Sequence, residues 1–136
     1  MSVLSIGQYK EDKDYLYNLE KNIDVEFPEE FTIVTSDWAR GKQTYSDNTL
    51  LRYESVVRFS ENTKLSFNEK WIDELTINEM VPTLFILQTT NYEKFMIYCF
   101  DTKEYNSQTI NEGYKYVAIA YDEDNNNLLI YEFYLK

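Results

Sequence analysis

Three acidic residues followed by three asparagines form the densest group of potential metal-ligand or catalytic side chains. The group runs from Asp122 to Asn127, between two apolar segments that carry tyrosines. Counted from Asp122, Asp124 and Asn126 match ligands of a helix-loop-helix calcium loop, but Asn127 replaces the required glycine and Phe133 the required glutamate. Asparagine and aspartate tolerate left-handed backbone conformations. The group is therefore predicted to be a β-hairpin tip, and no metal ion or other cofactor is expected.

Several classes of chemistry are excluded because the sequence contains no histidine, one cysteine and three glycines. Without histidine the chain cannot form a serine–histidine–aspartate triad, a cysteine–histidine pair or an ordinary zinc site. The glycines lie at Gly7, Gly41 and Gly113, too far apart for a phosphate-binding loop. Cys99 lies in an apolar segment, so we expect a buried thiol and no internal disulfide.

Catalysis by paired carboxylates needs no histidine, and the composition leaves this enzymatic alternative open. Asp101 and Lys103, at the end of a predicted strand, match only the acid-x-lysine half of a nuclease site. A nuclease also needs a basic groove for its substrate, which a chain with 24 acids and 13 bases is poorly able to form. We therefore predict that the protein is not an enzyme and has no catalytic residues.

The formal net charge of −11 indicates the kind of partner. Affinity for nucleic acid comes largely from lysine and arginine side chains that neutralise phosphates, so direct nucleic-acid binding is not expected. The same negative charge attracts a basic protein surface and accelerates the encounter with it. All three arginines fall within residues 31–60, the one segment in which bases outnumber acids. The negative charge is thus concentrated near the beginning and the end of the sequence.

Hydrophobic spacing and turn residues predict one α+β domain over residues 1–136. Its expected architecture is a mainly antiparallel sheet of about six strands with two helices packed on one face. One helix is predicted over residues 10–22 and another over 66–76, where Ser66 and Glu69 form a capping box. The predicted strands cover residues 31–38, 49–60, 83–89, 94–101, 114–121 and 128–135.

The last four predicted strands are apolar on both faces, and each face therefore needs a cover. Residues 31–60 or a partner would cover the face that the helices leave open. A second copy of the chain is one such partner, which would make the protein a homodimer. On residues 49–60, strict alternation places Leu51, Tyr53 and Val57 together on one face.

The sequence also predicts a cytoplasmic protein without membrane interaction. No apolar segment approaches the ~18 residues that a membrane-spanning helix needs. The first residues lack the basic and apolar regions of a secretory signal peptide. A single cysteine in an apolar segment is consistent with a reducing compartment.

Together these features predict a non-catalytic acidic protein that inhibits a basic partner by occupying its cationic surface. The partner would be a nuclease or a nucleic-acid-binding complex. A phage or mobile-element anti-defence inhibitor, acting like an anti-CRISPR protein or a nucleic-acid mimic, would work in this way. The alternatives are an immunity protein that neutralises a cognate bacterial toxin and a carboxylate-dependent enzyme. The predicted partner-binding residues are Asp24, Glu26, Glu29, Glu30, Tyr121, Asp122, Glu123, Asp124, Glu132 and Tyr134.

Overall fold

The computed structural model describes residues 6–44, 49–63, 65–74, 83–107 and 110–135. Over these ranges the chain forms an α+β fold with one antiparallel sheet, which confirms the predicted fold class. The strand order is β1-β2-β5-β4-β3, so the last strand in sequence lies at the centre. The elements are α1 (Ile6–Ile23), β1 (Phe31–Thr44), β2 (Thr49–Phe59), α2 (Thr83–Gln88), β3 (Lys94–Cys99), β4 (Lys115–Asp122) and β5 (Asn127–Leu135).

Helix α1 packs its apolar stripe against one face of the sheet, termed the α1 face. Leu16, Leu19 and Ile23 recur at helical spacing and are buried. They belong to a core to which residues of all five strands contribute, including Ile33 of β1. The contributing strand residues include Tyr53, Val57, Met96, Tyr98, Val117, Ile119, Tyr121, Leu128 and Ile130.

Helix α2 closes a separate core on the opposite face, termed the α2 face. The ring of Phe85 is buried and meets the ring of Tyr131 edge-on, with centroids 5.4 Å apart. Leu129 and Phe133 of β5 point to the same side. The two helices therefore lie on opposite faces, and the prediction that both pack on one face was wrong. The physical reason is that β3, β4 and β5 are apolar on both sides, so each side is buried by its own cover.

Two predicted elements take a different form. Residues 83–89 are predicted as a strand, yet Thr83–Gln88 forms α2, because a short apolar run suits a buried helix as well as a strand. Residues 66–74 are predicted as helix but contain turns and an isolated bridge. Ile72 exchanges backbone hydrogen bonds with Phe95 of β3, at 2.8 and 2.9 Å, and these bonds replace helical ones. The last two residues of that predicted helix, 75 and 76, lie outside the described residues.

A β-bulge in β2 divides the side chains of this strand between the two faces. Leu51 pairs with Phe133 and Tyr53 pairs with Glu132, so Arg52 is an extra residue. Leu51 consequently joins the core of the α2 face, whereas Tyr53 joins that of the α1 face. The strict alternation predicted for residues 49–60 is wrong at this point. The bulge is what places the Tyr53 side chain beneath α1.

The β4–β5 connection is the predicted hairpin tip, and Asn126 ties it to the loop after β2. Asn126 has a φ of 57°, in the left-handed region. Its side-chain amide donates hydrogen bonds to the carbonyl oxygens of Phe59 (3.2 Å), Ser60 (2.9 Å) and Thr63 (2.9 Å). One side chain therefore fixes the position of two neighbouring strand connections.

We expect Asn126→Ala to lower the free energy of unfolding by about 1–2 kcal/mol. The substitution removes the side-chain amide that donates hydrogen bonds to three backbone carbonyl oxygens. It also leaves an alanine in a left-handed backbone conformation. Urea unfolding followed by circular dichroism measures the change. Asn62→Ala, at an exposed position of the same loop, is the matched control and is expected to stay within about 0.5 kcal/mol of the parent protein. Equal losses in both variants would contradict the tethering role of Asn126.

Neither helix in the described ranges is both long and apolar enough to cross a membrane.

Candidate functional site

Acidic side chains that are far apart in the sequence lie at the same end of the sheet. The antiparallel register places the first residues of β1, β3 and β5 beside the last residues of β2 and β4. Each connection at this end carries exposed or half-buried acids. They are Glu29 and Glu30 before β1, Glu61 after β2, Glu93 before β3, and Glu123 and Asp124 between β4 and β5. These six residues are termed the acidic end.

Hydrogen bonds hold the parts of the acidic end together. The Ser60 N–H donates to the Glu30 carbonyl oxygen at 3.1 Å, beside the carbonyls that Asn126 binds. The Glu123 N–H donates to the Glu93 carboxylate at 2.9 Å. These bonds hold together the strand connections that carry the acids, so the negative fields of the acids add at this end of the sheet.

Two described cations, Lys94 and Arg58, lie near the acidic end. Lys94 forms an ion pair with Asp73, and the Arg58 Nε–H donates to the side-chain oxygen of Asn127 at 2.9 Å. Within the described ranges, by contrast, Glu29 and Glu30 have no ion-pair partner. The six acids thus outnumber the two cations described beside them, Arg58 and Lys94, and this surface keeps a net negative charge.

Asp24 and Glu26 lie in the turn between α1 and the acidic end, and both are exposed. Asp24 forms an ion pair with Lys70 at 3.0 Å, which offsets its charge. Burial raises the pKa of the nearby Glu20 carboxyl, and the charges of Glu26 and Glu29 raise it further, although a hydrogen bond from the backbone of Phe27 lowers it. The charges of this turn thus contribute to the raised pKa of Glu20, although burial is the larger cause.

Three carboxylates converge at the hairpin tip, where oxygens of Glu93, Asp122 and Asp124 lie within 4.8 Å of one another. Oxygen ligands at this spacing suit a hard divalent cation. However, both Asp122 oxygens already accept hydrogen bonds within the turn. One comes from the Asp124 N–H at 3.1 Å and the other from the Asn125 side-chain amide at 2.7 Å. These two hydrogen bonds close the turn of the hairpin predicted at this position.

Four of the predicted partner-binding residues do not lie on the exposed acidic surface. Tyr121 and Asp122 are buried beneath the hairpin tip, where the Tyr121 hydroxyl donates to the side-chain oxygen of Asn126. Tyr134 is half-buried, with the Arg52 guanidinium 5.3 Å from its ring centroid. Glu132 is buried at a different place, beneath α1. The first two residues support the acidic end from below, whereas Glu132 belongs to a second feature.

This second feature is a row of side chains that crosses the α1 face beneath the helix. The register places Trp38 opposite Tyr53 and Tyr53 opposite Glu132. Helix α1 places Tyr15 above the row, with its ring centroid 4.0 Å from that of Tyr53 and 5.6 Å from that of Trp38. Asp12, one turn earlier on α1, is completely buried beside them.

The buried carboxylates of Asp12 and Glu132 accept hydrogen bonds from the aromatic side chains around them. The Tyr53 hydroxyl donates to Asp12 Oδ1 at 2.7 Å, and the Trp38 indole N–H donates to the same oxygen at 3.1 Å. Asp12 Oδ2 is buried and accepts no hydrogen bond from any described residue. The Tyr15 hydroxyl donates to Glu132 Oε1 at 2.8 Å. Burial raises the pKa of Tyr15 and of Tyr53, and the adjacent carboxylates raise both values further.

We expect the protein to lose stability as the pH rises above about 10. The folded pKa values of Tyr15 and Tyr53 exceed the ordinary tyrosine value of 10.0, so the unfolded chain releases these protons first. The contribution of these two protonated hydroxyls to the free energy of unfolding is fully present below about pH 10. Above it, the free energy of unfolding falls by up to about 1.4 kcal/mol per pH unit for each tyrosine.

Urea unfolding between about pH 8 and about pH 11 measures this slope. Tyr15→Phe is expected to make the slope shallower, because the variant lacks one of the protons concerned. Tyr17→Phe, which changes a side chain 60% exposed on the same helix, is the control and should keep the parent slope. The same slope in the parent protein and in Tyr15→Phe would contradict the assignment.

A cleft of about 670 Å³ opens above the end of this row, between α1 and the sheet, and is termed the α1 cleft. The rings of Tyr15, Trp38 and Phe100 line it. The lining carboxylates are Glu11, Asp14 and Glu132, of which only Glu132 is buried. Lys115 also lines the cleft, and its Nζ lies 4.6 Å from the Phe100 ring centroid. The cleft thus combines apolar aromatic walls with a few convergent polar groups.

Sequence reasoning missed the α1 cleft, although two signals pointed to it. Glu132 is the only charged residue in an otherwise apolar strand, and Asp12 continues the helical spacing of Leu16 and Leu19. Both signals mark acidic residues on a core-facing side, where carboxylates need partners.

Comparison of the chain with protein-family models, with curated proteins and with solved structures gives no match.

Proposed function

We propose that this protein is a non-catalytic inhibitor that binds a basic, nucleic-acid-handling protein through the acidic end. The observation that supports this proposal is that six acids lie on the strand connections at one end of the sheet: Glu29, Glu30, Glu61, Glu93, Glu123 and Asp124. The sheet displays these carboxylates at fixed positions, as a nucleic acid displays its phosphates. A cationic groove that binds phosphates therefore offers complementary charge.

An apolar anchor accompanies the acids. Phe67 is partly exposed and lines a hollow of about 680 Å³ together with Glu61, Glu123 and Asp124. Its ring rests against that of Tyr121, at a centroid distance of 5.5 Å. Binding energy at protein interfaces concentrates in such desolvated aromatic contacts, whereas surrounding charges steer the encounter and select the partner.

The side chains of the α1 cleft also support a binding function and not a catalytic one. The groups of raised pKa that line or adjoin it are the hydroxyls of Tyr15 and Tyr53. A general acid or base works best when its pKa lies near the operating pH, so such weakly acidic hydroxyls are poorly suited to proton transfer. An immunity protein that neutralises a bacterial toxin would use the same acidic end. The two settings differ only in which basic protein is bound.

The test is whether a captured partner gives up its nucleic acid. The tagged protein is incubated with a lysate of its native host, and the retained proteins are identified by mass spectrometry. The retained partner is then purified, and its binding to labelled nucleic acid is measured as this protein is added. We expect a basic partner whose nucleic-acid binding is lost at stoichiometric addition. A retained partner that keeps its nucleic acid at excess inhibitor would contradict the proposal.

A further inference from the structure

We propose that the α1 cleft is a binding site for one arginine side chain of the protein partner. The inference rests on the proposed function, because it assumes a basic protein as the ligand. Asp14, at the cleft, and Asp24, at the turn after α1, are ten residues apart in sequence. This separation is roughly 15 Å along the helix, so one partner can reach both the cleft and the turn that leads to the acidic end.

The walls of the cleft suit a planar cation. The rings of Tyr15 and Trp38 meet edge-on at a centroid distance of 5.6 Å, and the ring of Phe100 lines the same space. Cations bind over aromatic faces within about 6 Å of the ring centroid. Lys115 demonstrates this property within the chain, because its Nζ lies 4.6 Å from the Phe100 centroid. Guanidinium is more weakly hydrated than ammonium and also stacks on rings, which favours arginine over lysine.

Glu132 supplies the acceptor. Its side chain is buried, with 8% of the residue exposed, yet it lines the cleft. The Tyr15 hydroxyl donates to Oε1, which leaves Oε2 as the carboxylate oxygen that a ligand in the cleft can reach. A buried carboxylate normally has its oxygens satisfied by several donors. A guanidinium group can donate to the remaining oxygen in the geometry that arginine and carboxylate prefer.

The charges at the cleft favour a cation as well. Asp14 and Glu132 contribute two negative charges against the single positive charge of Lys115. Asp14 is exposed at the rim, whereas Glu132 is buried. An incoming cation therefore passes a negative rim before it reaches the buried carboxylate, which is an arrangement that speeds association.

Nuclear magnetic resonance with a model ligand tests the inference without any knowledge of the partner. The probe is N-acetyl-arginine methylamide, and the neutral control is the citrulline analogue of the same shape. Trp38 lines the cleft and Trp71 lies elsewhere in the core, so their two indole N–H signals report on binding and on non-specific effects. We expect a saturable shift of the Trp38 signal with the arginine probe and none with citrulline, while the Trp71 signal stays constant.

Two variants distinguish the contribution of the buried Glu132 carboxylate to arginine binding from that of the negative charge at the rim. Glu132→Gln retains an oxygen for Tyr15 but removes the charge, and should weaken arginine binding at least about tenfold. Asp14→Asn removes an exposed charge and should weaken it less than about threefold. Equal shifts with citrulline, tighter binding of the corresponding lysine probe, or unchanged affinity in Glu132→Gln would each overturn the inference.

Failure of this inference is distinguishable from failure of the proposed function. If the arginine probe leaves Trp38 unchanged but partner capture still depends on the acidic end, the cleft assignment falls and the inhibitor proposal stands. If the probe binds at Trp38 but the captured partner keeps its nucleic acid, the inhibitor proposal falls while the cleft remains an arginine site.

Discussion

Charge reversal at the acidic end is expected to weaken partner binding at least about a hundredfold, or by about 2.7 kcal/mol. In the double variant Glu29→Lys/Glu123→Lys, two exposed acids on separate strand connections become cations. They would then face the cationic surface of the partner, and like charges brought together in an interface cost several kcal/mol. Titration calorimetry with the captured partner measures the loss.

The matched control is Glu104→Lys/Glu112→Lys, which changes the net charge by the same amount. Both residues are exposed and lie at the opposite end of the sheet, next to the last residues of β3 and β5. We expect this control to retain affinity within about threefold, because separated surface charges are screened in physiological salt. Equal losses in the two double variants would show that net charge, and not the acidic end, determines binding.

Phe85→Ala is expected to lower the free energy of unfolding by about 3–5 kcal/mol, the largest stability effect that we predict. The Phe85 ring is completely buried against Tyr131 on the α2 face. Truncation removes its apolar area and leaves a cavity between α2 and the sheet. Urea unfolding followed by circular dichroism and tryptophan fluorescence gives the difference.

Leu87→Ala is the matched control, because it lies on the same helix and is 67% exposed. Its loss is expected to stay within about 0.5 kcal/mol. The comparison also distinguishes the helix from the strand predicted for residues 83–89. In a strand, alternate residues share a face, so Phe85 and Leu87 would be buried together. Comparable losses in the two variants would therefore contradict the packing of α2.

The strands and the first helix were predictable because their patterns are strong. Residues 49–60, 94–101, 114–121 and 128–135 correspond to β2, β3, β4 and β5 with only small shifts at their ends. Helix α1 extends the predicted 10–22 by a few residues, and β1 continues beyond the predicted 31–38 to Thr44. Long periodic segments bounded by turn residues leave few alternatives.

The remaining features depend on contacts between distant parts of the chain. The bulge at Arg52 follows from the pairing of β2 with β5, and it decides that Tyr53 lies under α1. The bridge between Ile72 and Phe95 draws residues 66–74 towards the edge of β3 and away from a helix. A local sequence pattern contains no information about either partner strand, and tertiary contacts override local preference here.

The acidic residues were visible in the sequence, but their arrangement was not. Glu29 and Glu123 lie at the same end of the sheet because the antiparallel register places the start of β1 beside the end of β2 and the β4–β5 connection. The same topology buries Glu132 beneath α1, although the sequence suggested a displayed contact residue. The strand order follows from the way both faces of the sheet pack. The composition therefore identified the acidic residues but not where they lie in the folded protein.

The most direct test of the central claim is partner capture from a native-host lysate at low and at high salt. Pairing between exposed charges weakens as the Debye length shrinks from about 10 Å at 0.1 M salt to about 3 Å at 1 M salt. We predict that a basic nucleic-acid-handling protein is retained at low salt, is released as the salt concentration rises, and is not retained by Glu29→Lys/Glu123→Lys at either salt. Retention of the same protein at high salt, or by the charge-reversed variant, would contradict the account.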